Sequence, residues 1–121
     1  MNIYLMAAAA ASFLTFAIHT WVGGPVIAKP LVESDMHRVP KYTNYACWHI
    51  VTIMLFAMGG AFLWAAYFPS AIELAWFAFL LSSATLVWFA VLILWKRLSL
   101  VEFPQWALFV TIDVLAFMGL V

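Results

Sequence analysis

Four long apolar stretches, separated by short polar segments, make up most of this chain. They cover residues 3–26, 45–68, 71–95 and 103–121, and charged residues are almost absent from them. An α-helix needs roughly 20 apolar residues to cross the hydrocarbon core of a bilayer, which is about 30 Å thick. The pattern therefore predicts an all-α polytopic membrane protein. We expect a bundle of four transmembrane helices that forms one integral membrane domain over residues 1–121.

Glycine and proline residues indicate where the first two helices end and begin. The sequence Gly23-Gly24-Pro25 is expected to loosen the end of the first helix. Residues 28–44 form the longest polar segment, in which we expect a short helical turn that Pro40 stops. Thr43 or Asn44 is a plausible N-cap for the second helix.

The later helix ends carry similar signals. Phe68-Pro69-Ser70 predicts a tight turn, so that the second and third helices form a close hairpin. The third helix is expected to end at Lys96 and Arg97. Pro104 fits the first turn of the fourth helix, where the missing N–H costs little.

The positive charges are confined to two of the polar segments. All five Lys and Arg residues lie there, and both segments follow an odd-numbered helix. The two segments are therefore expected on the same side of the membrane. Positively charged loops are retained in the cytoplasm. This predicts cytoplasmic loops at residues 24–44 and 96–105, with both termini on the non-cytoplasmic side.

The composition excludes several classes of protein. The chain has 121 residues, of which 69% are hydrophobic and 8% are charged, whereas soluble domains have about 25% charged residues. The formal net charge is zero, so no nucleic-acid partner is expected. Cys47 is the only cysteine, which excludes an intramolecular disulfide. No nucleophile–base pair, phosphate-binding loop or pair of catalytic carboxylates is present, so we assign no catalytic residue.

Three histidines are the first candidate functional residues. His19 lies near the end of the first predicted helix, and His49 lies about one turn into the second. Helices joined by one loop are usually neighbours, so these two imidazoles are expected to lie close together. Neutral imidazole is the commonest metal ligand, and His37 is a possible third ligand. Helix axes about 8–10 Å apart suit two histidines that share a metal ion better than two that flank a haem. The alternative is that they bond loop carbonyls or water.

Asp113 is the second candidate. It follows Pro104 by nine residues, which places it roughly 14 Å deep, near the bilayer midplane. An ionisable residue there is costly and is often functional. Ser82, Ser83 and Thr15 are expected at a similar depth as hydrogen-bond partners. The alternative is that Asp113 only holds neighbouring helices together.

Residues 19–24, which read His-Thr-Trp-Val-Gly-Gly, precede Lys29-Pro30-Leu31. This stretch resembles the first helix of small bacterial membrane proteins that include the copper-resistance protein D family and the haem-bound protoporphyrinogen oxidases. The resemblance implies an inner-membrane fold of four or more helices, and in some members the handling of haem or copper. His19 would match the histidine of those proteins.

Together these observations favour a small bacterial inner-membrane protein. The leading hypothesis is a histidine-lined site near the cytoplasmic face that binds haem b or a transition metal, with His19 and His49 as ligands. The alternative is a non-catalytic accessory subunit or assembly factor of a larger electron-transfer or photosynthetic membrane complex. Besides the lipid bilayer, the expected partners are other membrane protein subunits or further copies of the chain.

Overall fold

The computed structural model describes residues 1–121 and consists of helices and connecting turns, without strands. Helix α1 spans Ile3–Ala17 and continues into a π-helical segment, Ile18–Ala28, and then into the short helix α2, Lys29–Glu33. The other helices are α3 at Arg38–Tyr67, α4 at Ile72–Lys96 and α5 at Gln105–Leu120, with a 3₁₀ turn at Pro69–Ala71. The prediction of an all-α fold with four main helices is confirmed.

The helices form an up-down-up-down bundle. Helix α1 packs against α3 and α5, while α4 packs against α3 and α5, so that the four helices close a ring. Asn2 fixes one end of this ring, because its backbone N–H donates to the Ala66 carbonyl and its side-chain Nδ2 to the Gly119 carbonyl. This end therefore holds the start of α1 and the ends of α3 and α5.

The opposite end of the bundle carries all the positive side chains. The end of α2, the start of α3, the end of α4 and the start of α5 meet there. We call it the basic end, and its positive residues are Lys29, Arg38, Lys41, Lys96 and Arg97. Glu73, by contrast, lies in the first turn of α4 at the Asn2 end.

Three helical stretches are long and apolar enough to cross a membrane. They are Ile3–Glu33, Arg38–Tyr67 and Pro69–Lys96. Helix α5 has 16 residues, which gives about 24 Å at 1.5 Å per residue and falls short of a hydrocarbon core of about 30 Å.

Small residues let the backbones approach closely inside the bundle. Ala8, Ala9 and Ser12 are buried on one face of α1. A methyl group added at Gly59 would lie 2.8 Å from the Phe13 ring, so glycine is what allows α3 to approach α1 there. At the Asn2 end, Gly119 makes room for Leu5 in the same way. Such small-residue contacts are typical of helices that pack in membranes.

The polar segment at residues 28–44 is more helical than the sequence predicts. The first helical stretch extends to Glu33, and α3 begins at Arg38, so only residues 34–37 connect them. Pro40 does not stop a helix but lies in the first turn of α3, where no intrahelical partner is available for its missing N–H. The N-cap of α3 is His37, whose Nδ1 accepts from the Val39 N–H at 3.4 Å. The caps proposed at Thr43 and Asn44 are therefore wrong.

The other predicted ends agree more closely with the structure. Helix α4 ends at Lys96, and Arg97 follows in a left-handed conformation with φ 53°. Pro104 is the N-cap of α5. Gly23, Gly24 and Pro25 lie within the π-helical segment, so the chain continues as a wider helix where the sequence predicts a loosened end.

Candidate functional site

The π-helical segment turns His19 toward α3. The imidazole Nε2 lies 3.2 Å from the Trp48 carbonyl and 3.1 Å from the Thr52 hydroxyl oxygen. A carbonyl only accepts, so we assign the hydrogen to Nε2, which donates it. Thr52 in turn donates to the same Trp48 carbonyl at 3.1 Å. These bonds connect the first helical stretch to α3, and they occupy the nitrogen that commonly binds haem iron.

Trp48 is held on two sides by residues of the π-helical segment. The His19 ring stacks on its indole with ring centroids 3.9 Å apart and an interplanar angle of 19°. A Cβ atom at Gly23 would lie 2.9 Å from the indole Cη2, so only glycine fits there without a shift of the ring. The Trp48 ring is therefore fixed in position by His19 and Gly23.

An open groove runs beside this contact at the basic end. It has a volume of about 460 Å³ and lies between α3 and the stretch formed by the π-helical segment and α2. The residues that line it are Thr20, Gly24, Pro25, Ala28, Lys29, Val32, Glu33, Tyr45, Trp48 and His49. Its walls are largely apolar, and its charged groups are Lys29 and Glu33, whose side chains are 3.9 Å apart and exposed.

His49 differs from His19 in its surroundings. Its side chain is exposed, lines the groove and meets the edge of the Tyr45 ring at a centroid distance of 4.6 Å. No protein group hydrogen-bonds either nitrogen of its imidazole. Of the two histidines predicted as ligands, His49 is thus the one with free ring nitrogens.

His37 lies apart from the groove. It caps the start of α3 and lines a separate shallow depression with Arg38 and Tyr42. The structure contains no group of three or more His, Cys, Asp or Glu side chains placed to hold a metal ion. The proposed set of His19, His37 and His49 is therefore not brought together as a three-ligand site.

Asp113 lies at the contact between α4 and α5. The Ser83 hydroxyl donates to its Oδ2 at 3.0 Å, and Ser82, the preceding residue of α4, is fully buried beside the same carboxyl. Thr15, which the sequence placed at similar depth, instead donates to the Ala11 carbonyl of its own helix at 2.8 Å. The structure therefore brings Asp113 together with the two serines and not with Thr15.

Sequence reasoning did not identify Trp48 and Thr52 as partners of His19. The available signal was that Thr52 and His49 lie close together on the second predicted helix, opposite the end of the first. Comparison with known proteins adds no further residue, because no family model, curated protein or solved structure matches this chain.

Proposed function

We propose that this protein is an integral membrane protein whose four helices all cross the bilayer, with the basic end in the cytoplasm. Support comes from three stretches long enough to span and from the positive residues collected at one end. Helix α5 is short, and this topology would accommodate it by local thinning of the bilayer or by oligomerisation, at a cost of fractions of a kcal/mol per Å. Both termini are then non-cytoplasmic, and a bacterial inner membrane fits the resemblance in the first helix.

We further propose that the groove at the basic end binds haem, with His49 as the iron ligand. The observation that carries this proposal is an imidazole without a hydrogen-bond partner on a largely apolar groove. Ligand sites commonly have volumes of about 300–1,000 Å³ and combine apolar walls with a few polar groups. The groove has these properties.

A protein-held metal ion fits these residues less well than haem. A transition metal ion bound by side chains alone typically needs three or four ligands, and three candidate ligands do not meet here. Haem supplies four nitrogen ligands of its own and needs one or two from the protein. A single free histidine therefore suits haem better than it suits a bare ion.

The other groove residues would orient such a cofactor. Gly24, Pro25 and Ala28 leave an apolar wall with little side-chain volume, against which a flat ring system can lie. Lys29 at the rim is paired only with the exposed Glu33 at 3.9 Å, and exposed pairs of this kind are weak. Its ammonium is therefore free to bind a haem carboxylate. His19 has a positioning role, because it holds Trp48 in the wall of the groove.

Titration of the purified full-length protein with haem, followed by absorbance, tests this proposal. His49→Ala should weaken binding by at least about tenfold, which corresponds to about 1.4 kcal/mol, because it removes the proposed iron ligand. His37→Ala is the matched control, because His37 is exposed at the same end but outside the groove. Unchanged haem affinity in His49→Ala would refute the assignment.

The same purified protein can be used to distinguish haem binding from the alternative functions. Metal analysis shows whether the protein binds a transition metal in place of haem. Protein that binds neither, yet co-purifies with a larger membrane protein in fixed stoichiometry after gentle extraction, would support the accessory-subunit hypothesis instead.

A further inference from the structure

A second polar site lies in the middle of the bundle, away from the haem groove. Asp113 is near the centre of α5, and Ser82 and Ser83 are near the centre of α4. Ser83 donates its hydroxyl hydrogen to the Asp113 Oδ2 at 3.0 Å. In a bilayer these three residues would lie close to the midplane, where polar groups need partners other than water.

Two atoms of this cluster are buried without a hydrogen-bond partner. They are the Ser82 Oγ and the Asp113 Oδ1. Ser82 is completely buried and lies close enough to interact with the Asp113 carboxyl, but its hydroxyl does not have hydrogen-bond geometry to either carboxyl oxygen. Most hydroxyl side chains in the helices bond to a carbonyl of the preceding turn, as Thr85 does to Leu81 at 2.8 Å, and Ser82 does not. The cluster thus has two buried oxygen atoms that can each take a further partner.

The charge of the cluster indicates which partner these oxygen atoms would take. A single carboxylate in hydrocarbon carries one uncompensated negative charge, and a monovalent cation neutralises it, whereas a divalent cation would leave a positive charge. The available ligands are hydroxyl and carboxylate oxygens, which hard cations prefer. Asp113 and Ser83 are only partly buried, so the carboxyl side chain reaches the outer surface of the bundle, where a hydrophobic reagent can approach it.

We propose that Ser82, Ser83 and Asp113 form an exchangeable site for one small monovalent cation, H⁺ or Na⁺, at the contact between α4 and α5. Each ion neutralises the carboxylate and satisfies both unpartnered atoms. A proton or a sodium ion would be held by Oδ1, and a small rotation of the side chains would bring the Ser82 hydroxyl oxygen to it as the second partner. The site is independent of haem binding at the basic end.

Labelling of the full-length protein with a hydrophobic carbodiimide tests this proposal. The reagent takes the proton of a carboxylic acid onto a nitrogen, and the carboxylate oxygen bonds to its central carbon, so only the protonated site reacts. We expect one label on Asp113, located by mass spectrometry, at a rate that rises as the pH falls. Asp113→Asn should lose this label, whereas Glu73→Gln, which changes an exposed carboxyl at the Asn2 end, should retain it.

Labelling rates measured in different salts distinguish H⁺ from Na⁺. Slower labelling in NaCl than in KCl of equal concentration would assign Na⁺ as a competing occupant, and equal rates would assign a site for protons alone. Both results support an exchangeable site. An absence of label on Asp113 at every pH, in protein whose detergent-denatured form is labelled, would overturn the proposal.

The role of Ser82 has its own test. Ser82→Ala should change the labelling rate several-fold, or weaken protection by Na⁺ where Na⁺ competes. Thr85→Ala is the matched control, because its hydroxyl lies one turn away on the same helix and is already bonded to Leu81. If the two variants are labelled in the same way, Ser82 is not part of the site and the proposed arrangement is refuted.

Discussion

Adjacent glycines in α3 allow the packing of this bundle to be tested by a single methyl group. Gly59 faces α1, and a Cβ atom there would lie 2.8, 2.9 and 2.9 Å from three atoms of the Phe13 ring. Gly60 has no atom within 4 Å of the same position. We predict that Gly59→Ala destabilises the protein and that Gly60→Ala does not.

The magnitude follows from the comparison of the two variants. Carbon atoms in favourable contact are about 3.5–4.0 Å apart, so the new methyl group overlaps the ring by roughly 0.6 Å or more. The ring cannot move freely, because it packs edge-on against Phe56 at a centroid distance of 5.5 Å. Overpacking of this kind costs about 1–3 kcal/mol. The gain in helix propensity, about 1 kcal/mol, applies to both variants and cancels in their difference.

The assay is reversible unfolding in mixed micelles of mild detergent and sodium dodecyl sulfate, followed by tryptophan fluorescence. Gly59→Ala should have a free energy of unfolding lower than that of Gly60→Ala by about 1–3 kcal/mol. The double variant Gly59→Ala, Phe13→Leu should recover part of this loss, because a leucine side chain can turn away from the added methyl group.

Equal stability of the two alanine variants would refute the reasoning. It would mean either that Phe13 does not lie on Gly59 or that α1 and α3 separate there without cost. The absence of rescue in the double variant would localise the strain elsewhere.

Three further predictions address topology and polar contacts. Reporter fusions at Lys41 and at Val121 should report opposite sides of the membrane, and a report from the same side would refute the four-crossing topology. Asp113→Leu should lower the free energy of unfolding by about 1–2 kcal/mol, because it leaves the Ser83 hydroxyl without its partner, whereas Asp113→Asn should be tolerated. Thr52→Val should cost only about 0.6 kcal/mol, since His19 keeps its bond to the backbone carbonyl, and a loss of several kcal/mol would contradict this geometry.

The helices were predictable because long apolar runs, of the length that a hydrocarbon core requires, are visible in the sequence. The position of a residue along the bundle axis was predictable for the same reason. Counting residues from the helix ends put Asp113 at the same level as Ser82 and Ser83. The error at Pro40 arose because proline is compatible with the first turn of a helix as well as with its termination. Only the tertiary structure distinguishes these two cases.

The rotation of each helix about its axis was not predictable. An amphipathic helix shows in its sequence which face is buried, but these helices are apolar on all sides. Whether His19 points to α3, to α5 or to lipid therefore cannot be read from spacing. The π-helical segment adds a further rotation at this position, and it shifts the register of every residue up to Ala28.

The hydrogen bond from Asn2 to Gly119 joins residues that are 117 positions apart in the sequence. Helix α1 also packs against α5, so α1 is synthesised well before the helix that completes its surroundings. Until α5 is made, the alanine-rich face of α1 and the Leu5 side chain, which later fits against Gly119, remain uncovered. The interval before α5 joins the bundle is therefore the stage at which this chain is most open to mispairing or to capture by another protein.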